Sequence, residues 1–386
     1  MQVNAIRNLY STQKINTTAE RIKSKVVSSP KIQAGLISSA AASAVIAASL
    51  VKPQGVSVAD IENKLIKKGY QKNDDECLEI ALNDAQKERI EKKYGDSYAS
   101  FVIWNQNATE FSKKDIEDFS EFINIDKKLG SEMFNKHFDD LVDTYIILKC
   151  QNRFVNLNDK IKKNPDMFKL IYNVVTTDLN KDYANAVCNW KGKSNVGVAG
   201  TAQNFLRENA NKYGVHMPES SQNFVENLSK LIDEKSLPES IKLYRREGME
   251  VLSDVKLQDG KHVNFAQMMK DVANSDNKDE KLQELKEFIL DNEIVATQPA
   301  YMATSIDKDV VKSFKGPQGT NGNSNVVWNF SVKPNTKGFY IEGVNANSVA
   351  SKEQEVLLQK GSKIKIEDIN YNKYHDEWQI DATVSN

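Results

Sequence analysis

The chain has 386 residues, 40% of them hydrophobic and 27% charged, with a formal net charge of −1. That length accommodates two domains, or one large domain with an extension, and the near-zero charge excludes bulk attraction to nucleic acid or to anionic membranes. Cys77, Cys150 and Cys188 stand at unrelated spacings, so they imply neither a disulfide framework nor a zinc pattern and read as free thiols suited to a reducing cytosol; His137, His216, His262 and His375 are scattered without ligand spacing.

Residues 1–31 are rich in Ser, Thr, Asn and Lys, with Glu20 the only acid. This composition predicts a disordered leader and would suit a secretion signal. Residues 32–51 follow as an uncharged run long enough to span a bilayer, but Ala and Ser dominate it and Gln33 lies inside, so its transfer into lipid is poor. Three readings stand: a helix that packs on a partner or secretion chaperone, a weak membrane-contact segment, and the apolar region of a signal peptide. Residues 1–55 are therefore set apart from the rest.

A small helical domain is predicted over 56–145. Ser57 and Asp60 form a capping box, Val58, Ile61 and Leu65 recur on one face, and Gly69 supplies a stop. A second helix is expected from about Asp75 to Tyr94, with Lys87, Glu88, Arg89, Glu91, Lys92 and Lys93 as its solvated face. A third opens on the Ser112–Asp115 box, turns Ile116, Phe119 and Ile123 inward, and is expected to stop at Gly130.

From residue 146 the pattern stays helical to Glu239, and strands are predicted at 241–245, 300–304, 326–332, 355–358, 363–366 and 378–384. Helices first and strands afterwards, without βαβ alternation, argue for an α+β fold over 146–386. No G-x-G-x-x-G follows a strand and no G-x-x-x-x-G-K-[ST] occurs, so neither a Rossmann nor a P-loop nucleotide site is supported.

One stretch invites chemistry. Glu353 and Glu355 sit two apart just ahead of an apolar run, so an extended backbone would point both to one side at the mouth of a strand. Alone, such a pair is most simply the solvent face of an edge strand. Upstream, however, Tyr244 and Arg245 close the run Ile241, Lys242, Leu243, and Tyr301, Met302, Ala303, Thr304, Ser305 follows.

That ordered set, carried by LPESIKLYRREGM (237–249), YMATSIDKDVVKSF (301–314), SKEQEVLLQKGSKIKI (351–366) and WQIDATV (378–384), with weaker support from NFLRENANKYG (204–214), resembles the arginine-specific mono-ADP-ribosyltransferases of bacterial toxins. It looks most like the actin-modifying enzymatic components of binary toxins and delivered effectors. The resemblance implies two packed β-sheets flanked by N-terminal helices, NAD as substrate, no metal, and a protein secreted or injected into a host cell to act in its cytosol on a host protein, actin favoured.

The resemblance also implies roles. Glu355 matches the glutamate that holds the ribose 2′-OH and stabilises the developing cation, the charge problem that glycosidases solve with carboxylates. Glu353 matches the acid that orients the acceptor guanidinium and helps to deprotonate it; relatives that modify asparagine carry Gln there. Arg245 matches the arginine on the NAD diphosphate, with Arg246 a second contact; Thr304 and Ser305 match the strand motif, and Phe314 an aromatic packing on nicotinamide. Ala303 departs from the family's first serine, whose hydroxyl holds the catalytic glutamate. Alternatives remain another acceptor such as a small GTPase, NAD hydrolysis as the main reaction, and a non-catalytic NAD-binding module with a decayed site.

Overall fold

The computed structural model describes residues 55–80, 84–94, 110–151, 156–191, 197–208, 216–237, 239–257, 259–313, 325–344 and 353–386. Residues Gly55–Asn386 form one compact unit. The leader, the uncharged run 32–51 and Phe314 lie outside the described residues. Among the described residues no helix is long and apolar enough to cross a membrane.

Helix α1 (Val58–Lys67) carries the expected Ser57–Asp60 capping box, buries Ile61 and Leu65, and is closed by Gly69 at φ +100°. The helix expected from Asp75 begins only at α2 (Asp84–Tyr94). Residues 71–79 instead form a hairpin, β1 (Gln71–Lys72) with β2 (Leu78–Glu79). The Asn73 side chain accepts hydrogen bonds from the Asp75 and Cys77 N–H groups, and Glu76 is left-handed, so the backbone is taken by a turn before a helix can start.

Helix α3 (Lys113–Ile123) opens on its capping box and buries Ile116, Phe119 and Ile123 as expected, but Gly130 is no stop. It lies inside α4 (Lys127–Lys136), where a Cβ would stand 1.8 Å from the Ile123 carbonyl oxygen. Glycine is there for a close approach of two helices. The α2 face is not fully solvated either: Arg89 and Lys93 pair with Asp143 and Asp140 on α5 (Phe138–Gln151).

The boundary expected at 145/146 falls inside α5. Phe119 on α3 meets Tyr145 on α5 at 4.3 Å between centroids, and Phe122 meets Phe168 at 5.3 Å. The remaining helices before the sheet are α6 (Leu157–Lys163), α7 (Asp166–Val175), α8 (Lys181–Lys191), α9 (Val198–Glu208) and α10 (Glu219–Glu234). Their buried residues join one core with those of the strands.

The fold is α+β. After β3 (Ile241–Glu247) come β4 (Val255–Lys256), β5 (His262–Val263), α11 (Phe265–Asn274), α12 (Lys278–Asp291), β6 (Val295–Thr297), β7 (Met302–Ser305) and α13 (Lys308–Ser313). The chain closes with β8 (Val326–Val332), β9 (Gly338–Tyr340), β10 (Glu355–Leu358), β11 (Lys363–Asn372) and β12 (Glu377–Ser385). Their ladder order is β5-β4-β6-β11-β12-β8-β3-β7-β10-β9, with β12–β8 parallel and the other pairs antiparallel.

Where two packed sheets were expected, the hydrogen-bonded ladder is continuous, but its middle is thin. β3 pairs with β8 along its whole length and with β7 at the single position Tyr244–Ser305. The sheet thus divides into a seven-strand and a three-strand part that meet at that seam. The three-strand part carries Glu355, and α8 and α9 supply the side chains that face it.

Candidate active site

Glu355 is the first residue of β10 and stands opposite Ser305 of β7. The turn before it is tied down by the hydroxyls of β7. Ser305 Oγ donates to the Glu353 carbonyl at 2.7 Å and accepts the Asp307 N–H at 3.0 Å, while Thr304 Oγ1 donates to the Val356 carbonyl at 2.6 Å. Thr304 and Ser305 therefore hold the acidic segment from across the strand pair.

The two acids do converge, though not by extended backbone. Glu353 lies in a short turn and Gln354 is left-handed at φ +50°, a conformation that costs a non-glycine residue about 1 kcal/mol or more. The buried Tyr340 hydroxyl, donating to Gln354 Oε1 at 3.1 Å, helps to fix it. The reversal brings both carboxylates to one point.

That point is the ammonium of Lys191, the last residue of α8. Its Nζ lies 3.0 Å from Glu342 Oε1, 3.0 Å from Glu353 Oε2 and 3.0 Å from Glu355 Oε2, and its side chain is 3% exposed. Trp190 Nε1 donates to the other Glu355 oxygen at 2.7 Å. The three acids offer oxygens within 4.8 Å of one another, a spacing that would suit a metal ion, but the ammonium occupies the place of a cation. Burial, with three carboxylates to offset it, leaves the Lys191 pKa well above the ordinary lysine value.

Burial raises the Glu355 pKa, against the pull of Lys191 and Trp190. Burial pushes Glu342 up to about 7 despite Lys191, so this carboxyl titrates near neutrality. The acids differ in depth: the Glu355 side chain is 6% exposed and that of Glu353 is 33% exposed.

Beside the acid cluster lies a cleft of about 320 Å³ lined by Trp190, Gln203, Asn204, Arg207, Arg245 and Ala303, among others. Arg245 NH1 donates to the Ala303 carbonyl at 2.6 Å and NH2 pairs with Glu247 at 2.8 Å, while its Nε finds no partner among the described residues. Arg207, on α9, faces the same space; partial burial and the Arg245 charge lower its pKa. Gln203 clamps the start of β7, accepting from the Tyr301 N–H and donating to the Tyr301 carbonyl, each at 3.1 Å.

The structure brings Glu353, Glu355, Thr304, Ser305 and Arg245 together; it does not bring Arg246. Successive strand residues face opposite ways, and Arg246 points away from Arg245 to pair with Glu377 at 2.8 Å. Sequence reasoning missed Trp190, Lys191, Arg207 and Glu342. Glu342 had a signal, a lone acid within the apolar run Phe339, Tyr340, Ile341 and Val344. Arg207 lies in the segment 204–214 that supported the resemblance.

Residues 201–386 match the family model described as ADP-ribosyltransferase exoenzyme. This segment belongs to that family. The exoenzyme segment contains Arg207, Arg245, β7 and all three acids, whereas Trp190 and Lys191 precede it. No curated protein sequence matches the chain.

Among solved structures, the chain is similar to a C3-type ADP-ribosyltransferase from Clostridium botulinum, at 19% identity and a TM-score of 0.40 over 60% of this chain and 98% of that one. It is also similar to a C3-type protein from S. aureus, solved with NAD, at 18% identity and a TM-score of 0.40 over 60% and 96%. The ADP-ribosylating toxin BECa of a C. perfringens binary enterotoxin, solved with NADH, matches at 16% identity and a TM-score of 0.37. That match covers 54% of this chain and 44% of the toxin, so the chain spans less than half of the toxin's length.

Proposed function

We propose that this protein transfers ADP-ribose from NAD to an arginine of a host protein, with actin the favoured acceptor. The observation that carries the reading is the pair of carboxylates at two depths, Glu355 buried and Glu353 half-exposed, converging beside a cleft that holds two guanidinium groups. An enzyme that must stabilise a cation inside and meet a cationic acceptor from outside needs such a pair.

Arg245 and Arg207 would grip the NAD diphosphate, a task suited to planar, permanently charged forks; an Arg245 Nε without a partner among the described residues and the position of both side chains on the cleft fit that ligand. Glu355 would accept a hydrogen bond from the ribose 2′-OH. As the bond from the anomeric carbon to nicotinamide breaks, its electron pair leaves with neutral nicotinamide, and the Glu355 charge stabilises the oxocarbenium character left behind. Glu353 orients the incoming guanidinium and takes its proton as the new carbon–nitrogen bond forms; a guanidinium is fully protonated in water, so a nucleophilic arginine needs that carboxylate. Phe314 is assigned to the nicotinamide by resemblance alone.

The arginine acceptor rests on Glu353, and actin rests on the likeness of the motifs to actin-modifying enzymes. Cys77, Cys150 and Cys188 are free, which suits action in the cytosol of the host after secretion or injection.

The test is to incubate the purified protein with tagged NAD and, separately, pure actin and eukaryotic cell lysate, and to locate labelled residues by mass spectrometry. A labelled actin arginine is expected. Glu355→Ala is expected to abolish both labelling and nicotinamide release, and Glu353→Gln to lose labelling while keeping much of the release. A labelled arginine on another protein, such as a small GTPase, would remove actin and leave the chemistry. Release without labelling would make the protein an NAD hydrolase, and NAD binding without release a non-catalytic module.

A further inference from the structure

We propose that Trp190 and Lys191 are positioning residues for Glu355, fixing both carboxylate oxygens from the end of α8 and keeping the group ionised in place of a hydroxyl at position 303. The proposal rests on the reading of Glu355 as the group that meets the ribose.

The strand opposite Glu355 does not hold its carboxylate. The register pairs Ser305 with Glu355 and Ala303 with Leu357, so positions 303 and 305 share a face with Glu355. Ala303 offers only a methyl group, Ser305 gives its proton to the Glu353 carbonyl, and Thr304 gives its own to the Val356 carbonyl.

The donors come instead from α8. Trp190 Nε1 takes Oε1 at 2.7 Å and Lys191 Nζ takes Oε2 at 3.0 Å, so neither oxygen can rotate without losing a charge-assisted hydrogen bond. The indole has its own support: it packs edge-on against Tyr301 at 6.1 Å, and the Tyr301 hydroxyl is bonded to Ser229 and to the Val225 carbonyl. Trp190 is thus aimed at Glu355 by the core.

The ammonium supplies what the indole cannot. Glu342, Glu353 and Glu355 crowd within 4.8 Å, and without a cation among them they could not all stay ionised. Lys160 also feels the charge of Glu342, and that of Asp307 beside it. A protonated Glu355 could not stabilise a cation. Lys191 sits in the last turn of its helix, where the dipole favours a positive charge.

The test uses nicotinamide release by the full chain. Trp190→Phe keeps the ring and removes the donor; kcat is expected to fall about tenfold with the KM for NAD unchanged. Adding Ala303→Ser to Trp190→Phe is expected to restore most of that loss, which a purely structural role for the indole does not predict. Lys191→Met is expected to move the acid limb of the pH–rate profile upward by at least one pH unit. Full activity in Trp190→Phe, a loss that Ala303→Ser does not repair, an unmoved acid limb, or higher activity in Lys191→Met would overturn the proposal; the last would make the ammonium a block on the site.

If the wild-type chain releases no nicotinamide, the functional reading fails by itself, and the positioning claim is decided by thermal unfolding. The Tm difference between wild type and Lys191→Met is then expected to widen from pH 5 to pH 8, because the acids left without a cation must take up protons to stay buried. A difference that stays constant with pH would overturn the claim.

Discussion

Replacing Glu342 by glutamine isolates one titration. Glu342 Oε1 accepts both the Lys191 ammonium at 3.0 Å and the Glu355 N–H at 3.2 Å, and glutamine retains that oxygen. Burial raises the folded-state pKa from 4.5 to about 7, so between those values the folded chain holds a proton that the unfolded chain has lost. Stability from this group is present below about pH 4.5 and falls as the pH rises through 7. The shift corresponds to about 3 kcal/mol. Glu342→Gln does not titrate, so its stability should match wild type near pH 4 and exceed it by about 3 kcal/mol at pH 8. Urea unfolding of both proteins across that range measures the difference. Parallel curves would refute the assignment of a near-neutral pKa to Glu342, and a variant that loses ground at pH 8 would mean that the charge on Glu342 is needed to hold Lys191.

Arg245→Ala and Arg207→Ala are each expected to raise the KM for NAD by about tenfold or more, the cost of a lost charged hydrogen bond, whereas Arg246→Ala should leave that KM unchanged and lower stability through the lost Glu377 pair; steady-state kinetics beside thermal melts separate the three. Ser305→Ala removes the bond to the Glu353 carbonyl and should reduce arginine labelling more than nicotinamide release, read by running both assays on one preparation. Gly130→Ala should cost about 1–3 kcal/mol in chemical unfolding, because its Cβ would press on the Ile123 carbonyl and the two helices must part.

What the sequence made legible follows from how local each signal is. Strands β8 and β10 appear where predicted because their apolar runs are bounded in the sequence by polar residues. Strands β4, β5, β6 and β9 are two or three residues long and exist only through their neighbours in the ladder, so no periodicity could mark them. The acid pair was visible, yet the left-handed Gln354 that joins its members was not, since nothing about glutamine favours that conformation. Strand alternation alone allowed only one of Arg245 and Arg246 on the cleft. Lys191 could not have been found: a lysine ending a polar helix reads as surface, and its partner Glu355 lies 164 residues away.

The position of the site follows from the seam in the sheet. Tyr244, Ser305 and Glu355 lie in one row across β3, β7 and β10, and among the described residues the first of these pairs is the only ladder position joining β3 to β7. Beyond it the strands diverge, and the Ala303 carbonyl is met by the Arg245 side chain. The opening that results is floored by Ala303 and walled by α9, and it becomes the cleft. Register at the seam is therefore a functional quantity: a slip of one residue on β3 would exchange the places of Arg245 and Arg246, taking Arg245 off the cleft and onto the Glu377 side. The long β3–β8 ladder, paired from Ile241 to Glu247, makes such a slip costly, so the seven-strand part fixes the register that the single seam pair could not hold by itself.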